Sequence, residues 1–108
     1  MRSCGPPRLA IGSPVAGATV RSPLTVRYRV RCFAVAPRGA FVLVSAVPRG
    51  SVARYELRIR RAEGAVEIDD VLLSGRRTLT FRLARADRRP LANPEARVVV
   101  RNLVFESP

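Results

Sequence analysis

The run Leu24-Thr25-Val26-Arg27-Tyr28-Arg29-Val30-Arg31-Cys32 decides the fold class. Leu24, Val26, Tyr28, Val30 and Cys32 alternate with Thr25, Arg27, Arg29 and Arg31. A sustained period of two belongs to a β-strand with one buried face and one wet face. The same alternation recurs in Tyr55–Arg60 and Thr78–Leu83. Together these stretches predict an all-β sandwich of antiparallel strands in two sheets. No segment carries a helical stripe, and Ala84–Arg89 has room for one turn at most.

Turn residues divide the rest of the chain. Residues 1–8 form a leader containing Gly5, Pro6 and Pro7, after which Leu9-Ala10-Ile11 reads as a short first strand. Gly12-Ser13-Pro14, Gly17 and Ser22-Pro23 punctuate the approach to the long second strand. Pro37-Arg38-Gly39 and Pro48-Arg49-Gly50 bracket Ala40–Val47, a compact apolar run suited to a buried strand. Val52–Arg60, Val66–Leu73, Thr78–Ala84 and Ala96–Phe105 complete a set of about seven strands, with a loop over Asp87–Pro94. The last strand changes phase. Val98 and Val100 point inward, Leu103 and Phe105 fall in the opposite phase, and a β-bulge near Arg101-Asn102 is expected to return them to the core.

The 108 residues suffice for one domain that buries roughly two-thirds of its unfolded surface. No apolar run approaches the ~20 residues needed to cross a bilayer. Met1–Pro7 lacks the apolar core of a signal peptide, so synthesis in the cytoplasm is expected. The net charge of +12 comes from 20 arginines with no lysine. Selection for phosphate attraction alone tolerates lysine as a point charge, so an absolute arginine preference points to GC-rich coding. The charge nonetheless attracts anionic polymers and acidic proteins.

Two stretches resemble a known kind of module. Ile11-Gly12-Ser13-Pro14-Val15-Ala16-Gly17-Ala18-Thr19-Val20, followed by Pro23-Leu24-Thr25-Val26, is similar to the opening of immunoglobulin-like modules in bacterial and viral surface or structural proteins. Those modules commonly read Ile-x-x-Pro-x-x-Gly-x-x-Val before their second strand. Leu73-Ser74-Gly75-Arg76-Arg77-Thr78-Leu79-Thr80-Phe81-Arg82-Leu83, with Pro90–Pro94 beyond it, resembles their Leu-x-x-Gly-x-His-Thr-Leu-x-x-x-Leu strand and loop. The resemblance implies an immunoglobulin-like sandwich over residues 9–106. Arg77 stands where histidine is usual, so no ligand role of that histidine carries over.

Catalytic chemistry has little to work with. Without histidine there is no Ser-His-Asp or Cys-His relay and no imidazole ligand. The expectation is a non-enzyme without cofactor, metal or small-molecule substrate. Glu67, Asp69 and Asp70 are the one dense acidic group, and a strand would send Asp69 and Asp70 to opposite faces. They read as a solvated edge rather than a calcium shell. Val47-Pro48-Arg49-Gly50-Ser51 resembles a thrombin recognition sequence and reads as a native turn. Cys32, in phase with the core, and Cys4, in the leader, are expected as unpaired thiols. A Cys4–Cys32 bridge is the alternative.

Arg27, Arg29 and Arg31 share one outward face at about 6.5–7 Å spacing. An immunoglobulin-like arrangement is expected to lay the strand of Thr78, Thr80 and Arg82 beside them as one basic plate. Arg38, Arg49, Arg88 and Arg89 fall at turns, and Arg58, Arg60, Arg97 and Arg101 project from other strands. The expected role is a structural or accessory subunit docking through Arg-rich strand faces and termini into a larger protein assembly, such as a virion shell or surface layer. A nucleic-acid or polyanion-binding module is the alternative. An extracellular adhesion module with the Cys4–Cys32 bridge is the third reading.

Overall fold

A computed structural model describes residues 4–21, 23–35, 37–46, 53–68 and 75–106. Eight strands make two sheets. In chain order they are β1 (Arg8–Ser13), β2 (Thr19–Val20), β3 (Leu24–Arg31), β4 (Ala40–Ala46), β5 (Ala53–Ile59), β6 (Glu63–Ile68), β7 (Gly75–Ala84) and β8 (Arg97–Phe105). One 3-10 turn, Pro94–Ala96, precedes β8. One sheet runs β1-β3-β6 and the other β2-β8-β7-β4-β5. Pairing is antiparallel except between β2 and β8.

The alternation of β3 is realised side chain by side chain. Leu24, Val26, Tyr28 and Val30 are buried, while Arg27, Arg29 and Arg31 are exposed. Inward rows from both sheets meet in one core whose fully buried members include Val26, Val42, Val44, Ile59, Leu79, Phe81, Leu83 and Leu103. Burying each such side chain contributes about 1.5–3 kcal/mol, which makes a polar residue on these rows costly. No charged side chain is buried among the described residues.

Strand β4 lies between β5 and β7, with Ala40, Val42, Val44 and Ala46 buried on the inner face and Leu43 and Ser45 half-buried on the outer one. Its outward residue Phe41 remains only 4% exposed. The guanidinium carbons of Arg58 and Arg88 lie 5.0 and 4.8 Å from the Phe41 ring centroid. Cation–π attraction and the flat guanidinium planes keep water off this ring.

The phase change in β8 has a defined geometry. Leu79 pairs with Val100 and Arg77 with Leu103, so β8 spends one more residue than β7 over that interval. Asn102 takes φ 59 within it, a left-handed conformation that asparagine tolerates better than most residues. Val100, Leu103 and Phe105 are consequently all buried. The expected bulge therefore lies at Arg101-Asn102.

Two sequence expectations change here. The strands number eight because Thr19–Val20 forms a short strand that its two residues gave no period to reveal. Cys32 does not continue the inward row of β3. It sits just past the strand with φ 57 and is half-buried. One residue in the left-handed region is enough to break the two-residue phase.

Two glycines show how tightly the strand ends are fitted. Gly39 opens β4 at φ +84, and a Cβ there would stand 2.8 Å from the Ile59 carbonyl oxygen. Gly64 faces Tyr28 across β3 and β6, where a Cβ would lie 3.2 Å from the phenol oxygen. The Tyr28 hydroxyl donates to the Arg61 carbonyl at 3.1 Å. Burial raises the Tyr28 pKa from its usual 10.0, partly offset by the nearby Arg61 charge.

Gly39→Ala is expected to destabilise the protein by about 2–4 kcal/mol, since left-handed strain and a backbone clash coincide. Gly64→Ala, which meets only a movable side-chain end, should stay within about 1 kcal/mol of wild type. Urea unfolding of both variants checks this, and equal losses would contradict the assignment. The Tyr28 phenol has a definite pH sign. The unfolded phenol ionises first, near pH ~10, while the native one holds its proton, so stability falls as pH rises through ~10. Urea midpoints across that range should decline more for wild type than for Tyr28→Phe. Parallel curves would show that burial does not hold the proton.

Candidate docking faces

The outward rows of the two sheets carry most of the charge, because the buried positions of the inward rows are apolar. On the three-stranded sheet, Arg31 stands directly opposite Arg8 of β1, and Arg29 lies between Ala10 and Glu63. Arg27 lies between Ser13 and Ala65. The small residues Ala10, Gly12 and Ala65 leave a shallow depression around the stems of Arg27 and Arg29. Arg29 Nη2 donates to Glu63 Oε1 at 2.8 Å, and this bond raises the Arg29 pKa further above its already high value. Both partners are well exposed, so solvent screens most of the attraction.

Arg82 does not belong to that face. It lies on β7 in the other sheet, between Leu43 of β4 and Arg97 of β8. The expected single plate of Arg27, Arg29, Arg31 and Arg82 is therefore two faces on opposite sides of the protein. The reason is hydrogen bonding: β1 and β6 occupy both edges of β3, leaving no place for β7.

Across the outer face of the five-stranded sheet, Glu56, Leu43, Arg82 and Arg97 form one row. Arg54, Ser45, Thr80 and Val99 form the next. These rows border a depression with Pro90, which pairs back onto Ala84, at its rim. Glu56 accepts a hydrogen bond from Arg88 Nε. Arg82 and Arg97 have no acidic partner among the described residues. Like charges directly opposite across strands are destabilising by roughly 0.2–1 kcal/mol. Composition alone does not reveal that Arg54 and Arg97 join Arg82. Sheet order and antiparallel register decide it.

The ion pairs formed within the described residues are Arg21–Glu106, Arg29–Glu63, Arg88–Glu56 and Arg89–Asp87. All four are exposed, so most of the arginine charge faces solvent. Glu67 is exposed on β6 opposite Thr25. Asp69, Asp70, Arg49 and the Val47–Ser51 segment lie outside the described residues. Among the described residues, no group of three or more Cys, Asp or Glu side chains is placed to hold a metal ion. No helix of the described residues is long and apolar enough to cross a membrane.

The leader is fastened at two points. Cys4 and Cys32 form a disulfide with S–S 2.10 Å and Cα–Cα 5.3 Å, which overturns the expectation of unpaired thiols. Cys32 reaches Cys4 because it leaves the inward phase of β3 at its end. Asn93 Nδ2 donates to the Pro7 carbonyl at 2.7 Å and to Glu95 Oε2 at 3.1 Å. The Asn93 bond lowers the Glu95 pKa, and the nearby Arg8 charge adds to the effect.

Removing the disulfide should cost about 3–4 kcal/mol in the loop-entropy picture for a separation of 28 residues. The urea midpoint is expected to fall on adding reductant, and a Cys4→Ser, Cys32→Ser variant should match the reduced protein. Alkylation should add mass only after reduction. Thiol uptake by the untreated native protein would contradict the bridge.

Comparison with protein-family models, with curated proteins and with solved structures yields no match to this chain.

Proposed function

We propose that this chain is a non-enzymatic immunoglobulin-like module that docks through its arginine-bearing strand faces into a larger protein assembly. The immunoglobulin-like reading is supported by connectivity. The first strand is divided, with β1 joining β3 in one sheet and β2 running parallel to β8 in the other. The remaining order, β3-β6 facing β8-β7-β4-β5, suits a Greek-key sandwich. A virion shell or surface layer is an assembly of the required kind.

The observation that carries the docking reading is the distribution of arginine. Both sheets turn arginine rows outward, and few of those charges are met by carboxylates within the described residues. Arginine suits interfaces because its planar fork binds carboxylates bidentately and desolvates readily. The second reading, a polyanion-binding module, is favoured by the same +12 charge. Nucleic-acid binding through stacked bases finds less support. The described Tyr and Phe side chains are buried or part-buried, which leaves no stacking platform.

Native size in an extract of the source, at raised salt and with or without nuclease, separates these readings. A large complex that survives both treatments is expected. Release of a free species near 11.9 kDa on nuclease treatment would move the assignment to nucleic-acid binding. A free species in every condition would refute both.

A further inference from the structure

We propose that the depression on the outer face of β5-β4-β7-β8 binds an extended acidic segment of a partner protein, with Arg82 and Arg97 gripping its carboxylates. This inference rests on the docking reading and specifies its face and its ligand.

Each sheet opposes two arginines across strands, Arg8 with Arg31 and Arg82 with Arg97, and the second pair borders this depression. Arg82 and Arg97 are cross-strand neighbours, so their guanidinium groups start from backbones about 5 Å apart. Arg54 stands across the same depression, and Leu43, Ser45 and Thr80 form its floor. From β5 to β8 the face spans three strand spacings, about 14 Å, which suits one extended chain. The one carboxylate within the depression, Glu56, is already engaged by Arg88 at the rim. That pair displays the recognition chemistry inside the protein itself: an outward carboxylate of this sheet held by a guanidinium. Arg82 and Arg97 have the opposite problem, two cations with no anion between them among the described residues. A carboxylate placed there removes a repulsion and adds charge-assisted hydrogen bonds.

The floor favours a peptide over nucleic acid. Leu43 and the neighbouring Val99 offer half-buried apolar surface, and Ser45 and Thr80 offer hydroxyls. Phe41 is sealed between Arg58 and Arg88 and cannot stack on a base, and Tyr55, which borders the depression, is partly buried against the core, in phase with Leu57 and Ile59. The opposite sheet differs. There Arg29 is engaged by Glu63, and Arg8 lies within the field of Glu95.

The test uses a labelled peptide of about ten residues alternating Glu with Val or Thr, long enough to cross the sheet. Its binding to the oxidised full-length chain is followed by fluorescence anisotropy near physiological salt. Arg82→Gln with Arg97→Gln should weaken binding by at least about tenfold. Arg27→Gln with Arg31→Gln removes the same charge from the other sheet and should weaken it less than about twofold, because only screened long-range attraction is lost. Arg54→Gln alone, which leaves the opposed pair in place, should give an intermediate loss, and a Gln-for-Glu peptide should not bind. Amide shifts on titration should centre on Leu43, Thr80 and Val99. Equal losses in the two double variants would overturn the proposal, as would undiminished binding of the Gln peptide. Tighter binding of an oligothymidylate of equal charge at the same residues would replace the acidic peptide with nucleic acid. If the native complex persists and still incorporates the Arg82, Arg97 variant, this groove assignment falls while the docking reading stands. A free wild-type chain in the extract removes the docking reading itself.

Discussion

Burial of the inward row Leu24, Val26, Tyr28 and Val30 against the other sheet is the constraint on which the rest of the molecule depends. With a side-chain period of two, committing those four residues to the core commits Arg27, Arg29 and Arg31 to water. A slip of one residue would drive three guanidinium groups into an apolar interior, at a cost far beyond the stability of a domain this size. The same logic applies to β7 and β8, where burying Leu79, Phe81, Leu83 and Val100 sends Arg82 and Arg97 outward together. The arginine faces are thus a geometric consequence of the core, and their chemistry inherits the core's rigidity.

Closure of the two sheets is handled by the first strand. β1 covers one edge of β3, and then the chain passes Pro14 and Gly17 and crosses to lay β2 beside β8. Hydrogen bonds from Gly17 N–H to the Arg101 carbonyl, and from Val104 N–H to the Ala18 carbonyl, stitch that crossing to the bulged end of β8. The disulfide and the Asn93–Pro7 bond hold the leader at the other end of β1, beside Arg31 and the start of β8. Several weak local devices therefore occupy sheet edges that would otherwise expose unpaired backbone groups.

Face was legible in the sequence, and neighbourhood was not. The alternation in Leu24–Arg31 sorted every side chain of β3 correctly between core and solvent. The apolar run Ala40–Val47 marks a largely buried strand, described as Ala40–Ala46, and the phase change at Arg101-Asn102 marks the bulge. Alternation is silent about which strand lies beside which, so Arg82 was grouped with Arg27, Arg29 and Arg31 although it belongs with Arg97 and Arg54. Thr19–Val20 is too short to show a period at all. Cys32 misled for a different reason: periodicity extrapolates a regular backbone, and a single positive φ ended that regularity one residue early. The depression on β5-β4-β7-β8 adds to this difficulty, since it needs both the sheet order and the register before Arg54, Arg82 and Arg97 come together.

The clamp on Phe41 bears on the chain's exclusive use of arginine. GC-rich coding would raise arginine across a chain without reference to any individual position. At Arg58 and Arg88 a side chain must lie flat on a ring and seal it from water, and only a planar cation does both. A lysine ammonium would draw its hydration shell up to the ring instead. At these two positions the identity of the base is therefore dictated by shape, as a roof over an aromatic ring that points away from the core. Two of the chain's positive charges act as hydrophobic cover.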